Sequence, residues 1–125
     1  VLVCGGRDFG LVESERQQIF HLLDRLHAIK PIAVLIHGGA RGVDTAAGEW
    51  ALMRRIQLEI YRANWMRYGL RAGFVRNQRM LDEGKPHLVA AFPGGRGTND
   101  MIKRAGISDL LVLQVIRRGS VHAHA

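Results

Sequence analysis

Pro93-Gly94-Gly95-Arg96-Gly97-Thr98 follows the apolar run Leu88–Phe92 and leads into a stretch of helical spacing from Thr98 to Ala105. The same order of apolar run and glycine doublet recurs twice. Val1–Cys4 is followed by Gly5-Gly6-Arg7-Asp8, and Ile32–Ile36 by Gly38-Gly39-Ala40-Arg41-Gly42. A strand–glycine–helix junction leaves several backbone N–H groups free and aims the positive end of a helix dipole at one spot. With no Cβ in the way, an anion can approach that backbone closely. Glycine also serves tight strand-to-helix connections, so a single turn says little. Three such turns in one chain, each with an arginine, point to a phosphate-bearing ligand.

The rest of the chain alternates in the same way. From Val12 to Ala28 and just beyond, Ile19, Leu22, Leu23, Leu26 and Ile29 form a helical stripe, with Glu13 and Glu15 suited to the first turn. Lys30-Pro31 ends that helix. Val43–Arg55 reads as the second helix and Leu58–Ala63 as the third strand. Leu70–Glu83 is the third helix, stopped by Gly84-Lys85-Pro86. Thr98–Ala105 is the fourth, closed by Gly106, and Leu110–Ile116 is the fifth strand. Short apolar strands separated by helices imply an α/β fold. The expectation is a single Rossmann-like three-layer domain over residues 1–116, with about five parallel strands and flanking helices. A tail covers 117–125. In such a sheet the ligand sits beyond the strand C-termini where the strand order reverses. With strands one and four adjacent and strand two beside one, all three glycine turns converge on one crevice.

At 125 residues the chain is one domain, able to bury roughly two-thirds of its unfolded surface. The formal charge of +7 favours anionic partners, and Lys30, Lys85 and Lys103 are the only lysines. Arginine bias from GC-rich coding and a solvated basic surface is one reading. Position supports another: Arg7, Arg41 and Arg96 lie in the glycine turns, and Arg67, Arg71, Arg76 and Arg79 crowd the region after the third strand. Guanidinium forks suit phosphate oxygens. No apolar run approaches a membrane span and no signal-peptide pattern opens the chain, so no membrane partner is expected. Cys4 is the single cysteine; it excludes an internal disulfide, fits a reducing cytoplasm and reads as a small core residue. The start at Val1, inside a strand and without Met, points to a trimmed or partly ordered N-terminus. His122 and His124 have no carboxylate or cysteine beside them, so no metal and no cofactor are expected.

None of the turns is a Walker loop: Gly5 to Gly10 has the outer spacing, but Leu11-Val12 stands where Lys-Ser/Thr is needed. None matches G-x-G-x-x-G either, which argues against an ordinary dinucleotide dehydrogenase. Gly94, Gly95 and Gly97 permit close backbone approach, and Thr98 can cap the helix or bond a phosphate. Asp8 and Asp44 either bond ribose hydroxyls or act as helix caps and salt-bridge partners. Trp65 and Tyr68, in the loop after the third strand, stack on a base or cover a sheet edge or dimer contact. Trp50 reads as core, and His37 as a strand-end residue bonded to backbone.

Pro93-Gly94-Gly95-Arg96-Gly97-Thr98, preceded by Arg76-Asn77-x-x-Met80, resembles the SLOG superfamily, which includes LOG-type phosphoribohydrolases and the DprA/Smf DNA-processing proteins. Gly5-Gly6-Arg7-Asp8, His37-Gly38-Gly39-Ala40-x-Gly42-x-Asp44 and Trp65-x-x-Tyr68-Gly69 together resemble a compact bacterial and phage branch of it. The similarity runs from Val1 to about Val115. It implies phosphate contacts from Gly94, Gly95, Gly97 and Thr98. In LOG enzymes an arginine before the fourth strand works with a glutamate that closes Pro-Gly-Gly-x-Gly-Thr-x-x-Glu. Arg76 matches the arginine, Asn77 replaces the lysine that follows it, and Met101 stands in place of the glutamate. Asp100, one residue earlier, would point about 100° away on a helix. The Arg76-Asn77 pair is closer to DprA.

The resulting expectation is a nucleotide-type ligand, such as a nucleoside monophosphate or ADP-ribose, bound at the switch point. The binding set is Gly5, Gly6, Arg7, Asp8, Gly38, Gly39, Arg41, Gly42, Asp44, Arg76, Asn77, Pro93, Gly94, Gly95, Arg96, Gly97 and Thr98. Arg76 and Asp44 are the catalytic candidates if the chain is a hydrolase rather than a sensor. A DprA-like protein binding single-stranded DNA is the alternative, and it would need a basic groove with stacking aromatics. Leu110–Ile116 and the exposed-looking aromatics suggest a homodimer.

Overall fold

The computed structural model describes residues 1–117 and 121–124. Strands β1 (Leu2–Cys4), β2 (Val34–His37), β3 (Gln57–Ile60), β4 (Leu88–Ala91), β5 (Leu111–Val115) and β6 (Val121–His124) form one sheet. Their order is β3-β2-β1-β4-β5-β6. The first five strands are parallel, and β6 runs antiparallel to β5. β1 has β2 on one side and β4 on the other, so the chain reverses its winding between β1 and β4.

The central strands β1, β2 and β4 are almost wholly apolar because both faces of the sheet are covered there. Side chains alternate between them. Val3, Leu35 and Ala90 face a core with Phe9, Ile19, Leu23 and Trp50, contributed by α1 (Glu13–Ile29), α2 (Val43–Met53) and the loop before α1. Leu2, Cys4, Ile36, Val89 and Ala91 face a second core with Met80, Met101 and Ala105, from α4 (Ala72–Gly84) and α5 (Arg96–Ile107). The result is the three-layer α/β arrangement that the alternating pattern implies.

Three details depart from the sequence pattern. Residues 117–125 were expected as a tail, yet Val121–His124 form β6. A short returning segment gives the outer edge of β5 backbone partners it would otherwise lack. Leu110–Ile116, one of the two grounds for the expected homodimer, is therefore no free edge: β5 is flanked by β4 and β6. Second, Trp65 and Tyr68 lie on a short helix, α3 (Trp65–Tyr68), rather than in a loop. Asn64 caps it by accepting from the Arg67 amide at 3.1 Å, and a 3-10 turn, Gly69–Arg71, joins it to α4. Third, Ile29 closes the apolar stripe of α1 but stays 82% exposed in the last turn.

Trp50 is fully buried and links the two helices of its layer. Its indole Nε1 donates to Asp24 Oδ1 at 2.8 Å. The Arg54 guanidinium holds the same carboxylate through Nε and Nη2, both at 2.9 Å. The Arg54 hydrogen bond keeps the Asp24 carboxyl below the usual range despite some desolvation. Trp50→Ala removes the largest fully buried side chain and the indole donor together. We expect a loss of about 3–5 kcal/mol, read as a lower urea midpoint with the slope preserved. A change below about 1 kcal/mol would contradict this packing.

Candidate functional site

The three glycine turns meet at the C-terminal ends of β1 and β4. The Gly6 amide donates to the Pro93 carbonyl at 2.8 Å, and the Gly6 carbonyl accepts from the Val43 amide at 3.3 Å. This brings the first turn against the third on one side and against the start of α2 on the other. Two glycines make the approach possible. Gly42 has φ +78, and a Cβ there would lie 2.5 Å from the Gly6 oxygen. A Cβ at Gly94 would stand 2.7 Å from the Gly6 nitrogen and collide with the Thr98 hydroxyl. Convergence of the turns therefore depends on bare backbone at these positions.

The junction opens into a cleft of about 620 Å³. It is lined by Val3 and Cys4 of β1, by Gly5, Gly6 and Arg7 of the turn after it, by Asp44 of α2, by Asn77, Met80 and Phe74 of α4, by Trp65, Leu70 and Arg71 of the segment before α4, and by Gly95, Arg96, Gly97 and Thr98 at the start of α5. The other expected ligand residues, Asp8, Gly38, Gly39, Arg41, Gly42, Pro93 and Gly94, do not line it. Asp8 instead pairs with Arg41 at 2.8 Å on the exposed surface. Gly42 and Gly94 serve the junction described above. Gly39 donates to the Nδ1 of His37, the backbone bond expected of that histidine. Burial lowers the His37 pKa to about 4, so the ring is neutral at neutral pH.

The turns differ in what their amides do. In the second turn, Asp44 Oδ2 accepts from the Gly38 amide at 3.1 Å and the Ala40 amide at 3.2 Å. That carboxylate occupies the place an anion would take. The third turn has no such occupant. Gly95 is the N-cap of α5, and no side chain caps the helix. A Cβ at Gly95 or Gly97 would meet nothing within 4 Å, so the surrounding protein leaves open space there. Thr98 is 6% exposed and lines the cleft, and its hydroxyl has no hydrogen-bond partner among the described residues.

Asn77 and Arg76 hold these parts in register. Asn77 Nδ2 donates to the Gly97 carbonyl at 3.1 Å and to Asp100 Oδ2 at 3.0 Å. Arg76 donates through Nε to Asn77 Oδ1 at 3.1 Å and through Nη1 to the Gly38 carbonyl at 2.7 Å. One arginine–asparagine pair thus joins α4 to both the second and third turns. Burial lowers the Arg76 pKa, with Asp44 opposing the shift and Arg7 adding to it. Asp100, turned away from the Met101 direction, also accepts from Arg104 Nε at 2.7 Å. Met101 is fully buried among apolar residues and is not in the cleft wall.

The family model described as YspA, cpYpsA-related SLOG family matches residues 1–68, which include the first two turns and Trp65. The chain belongs to this SLOG family. It is also 36% identical over 113 residues to the Gene 61 protein of Mycobacterium phage D29, covering 84% of this chain and 86% of that protein. No solved structure matches the chain. No helix among the described residues of this SLOG protein is long and apolar enough to cross a membrane.

Several lining residues were not in the expected binding set: Val3, Cys4, Leu70, Gly73, Phe74 and Met80. A signal existed for the α4 wall. Gly73, Arg76, Asn77 and Met80 fall at i, i+3, i+4 and i+7, one helical face mixing small, polar and apolar groups. Of the arginines crowding this region, Arg71 and Arg76 line the cleft. Arg67 lies over Tyr68, and Arg79 pairs with Glu83. Burial pushes the Cys4 thiol well above its usual pKa, so it is a core thiol rather than a nucleophile.

Asp44 provides a pH test. Burial raises its pKa from 3.8 to about 6, against the Ala40 amide, Arg76 and the Gly38 amide, which lower it. The folded state therefore binds the proton more tightly than the unfolded one. The associated stability is present below pH ~4 and is lost as pH rises through ~6. Asp44→Asn keeps an acceptor oxygen for both amides and carries no charge. We expect it to gain on the wild type from pH 4 to pH 8, by up to about 3 kcal/mol. A stability difference independent of pH in paired urea titrations would contradict the assignment.

Proposed function

We propose that this SLOG protein binds a nucleotide-type phosphate ligand in the switch-point cleft, with its phosphate at the first turn of α5. The observation that carries the reading is that turn. Its amides have no side-chain cap, Gly95 and Gly97 leave room above them, and the Thr98 hydroxyl has no hydrogen-bond partner among the described residues. A helix start of this kind favours an anion through N–H donors and the positive end of the helix dipole. Arg96 adds a guanidinium at the same turn. Trp65, Leu70 and Phe74 give the cleft an apolar wall against which a base can lie. Family membership supports the same ligand class.

Gly97→Leu tests the site with little risk to the fold, because its side chain would project into open space rather than into protein. In a thermal-shift screen of ribonucleoside phosphates, ligand at about 100 times its Kd adds about 2.7 kcal/mol to the wild type. The Gly97→Leu protein should lose that shift while keeping the melting temperature of the free form. No shift with any nucleotide would overturn the reading.

The site is built for binding more than for rapid N-glycosidic cleavage. A carboxylate that stabilises positive charge on a ribose must reach the sugar. Met101 occupies the sequence position of the LOG glutamate but points into the core. Asp44 is engaged by two amides and is the cleft's one carboxylate among the described residues. Adenine release from adenosine monophosphate, followed by chromatography, should therefore be absent or very slow. Brisk release abolished by Arg76→Ala would refute this expectation, and its loss in Asp44→Asn would name the carboxylate responsible.

A further inference from the structure

The cationic groups of the cleft exceed what one phosphate needs. A phosphate at the start of α5 is met by its free amides, the Thr98 hydroxyl and Arg96. Two more arginines face the same cleft from other elements. Arg7 extends from the turn after β1, and Arg71 from the 3-10 turn before α4. The Arg71 side chain has no hydrogen bond or ion pair among the described residues. Arg7 has only the Trp65 ring, with its guanidinium carbon 5.9 Å from the ring centroid. Five arginines elsewhere have carboxylate partners: Arg16 with Glu49, Arg41 with Asp8, Arg54 with Asp24, Arg79 with Glu83 and Arg104 with Asp100. Arg25 and Arg55 have none among the described residues, but they are scattered on the surface, whereas Arg7 and Arg71 line one cleft.

Arg7 also acts on the hydrogen-bonded Arg76. Arg7 disfavours the charged form of Arg76, the direction expected of two cations sharing a site. Asp44 is the sole carboxylate lining the cleft among the described residues, and it is held by the second turn. A cleft with low-dielectric walls and one sign of charge concentrates the opposite charge. Guanidinium groups on separate elements can grip separate phosphoryl groups through their N–H forks.

We propose that the cleft contains a second anion subsite, formed by Arg7 and Arg71 beside Trp65, and that its ligand is a nucleotide with two or more linked phosphates. This inference rests on the nucleotide reading above and narrows it. The phosphate at α5 anchors the ligand, and the next phosphoryl group neutralises Arg7 and Arg71. Arg7 also lies over Trp65, so filling the subsite fixes the indole that forms the base-binding wall.

Isothermal titration with matched nucleoside 5′-monophosphates and 5′-diphosphates of each base tests it. The wild type should bind the diphosphate at least tenfold more tightly, the size of one or two charge-assisted hydrogen bonds. Arg71→Gln and Arg7→Gln should each bring the ratio of the two affinities towards one. Both side chains are exposed, and neither forms an ion pair, so the variants should fold; their melting temperatures check this. Equal affinity for monophosphate and diphosphate in the wild type overturns the second subsite and leaves the nucleotide reading standing. Binding of neither overturns both. A fluorescent oligothymidylate that binds with a multi-phosphate salt slope and is not displaced by diphosphate replaces this inference with a single-stranded nucleic-acid surface.

Discussion

The peptide group of Gly6 is the contact on which the site depends. Its N–H reaches the Pro93 carbonyl and its C=O receives the Val43 amide, so one residue fixes the first turn against the third turn and against α2. Both bonds require neighbours without side chains at the point of contact, and Gly42 and Gly94 supply them. Parallel strands bring the three turns to the same end of the sheet. Placement of β1 between β2 and β4 then puts them side by side. The hydrogen bonds of Gly6 convert that proximity into a fixed geometry.

Similar turns consequently do different work. The second is filled from within by Asp44, whose carboxylate takes two amides and bears the cost of burial as a raised pKa. The first is consumed in part by the Gly6 junction. The third keeps its helix start open. Arg76 and Asn77 bridge the second and third turns from α4, a role that explains why this pair sits at the cleft without being its most available donor set. Charge follows the same division. Five arginines outside the cleft are paired with carboxylates and Arg76 is hydrogen-bonded to Asn77 and Gly38, whereas Arg7, Arg71 and Arg96 line the cleft without carboxylate partners among the described residues.

Much of the fold was legible because it depends on local periodicity. Apolar runs at Leu2–Cys4, Val34–His37 and Leu88–Ala91, separated by helical stripes, leave few alternatives to a parallel sheet covered on both faces. β6 was harder to read. Val121-His122-Ala123-His124 is short and weakly apolar, and it forms a strand because β5 offers an unpaired edge rather than from its own pattern. The α3 helix was missed for a related reason: four residues are too few to show helical periodicity, and the Asn64 cap decides the conformation locally.

The sequence by itself determined the layer architecture, the position of the glycine turns and the excess of arginine, since each is a property of neighbouring residues. Tertiary structure alone decided which groups reach the cleft. Asp8 and Asp44 are both acidic residues of glycine turns, yet Asp8 pairs outward with Arg41 while Asp44 turns inward to the amides of Gly38 and Ala40. Gly94 and Gly95 are adjacent, yet one is packed against Gly6 and the other borders open space. Met101 and Asp100 are likewise adjacent, and helix phase sends one into the core and the other to Asn77. The physical reason is common to all three. Hydrogen bonding and close packing act between residues distant in the chain, and they separate groups that composition and spacing leave equivalent.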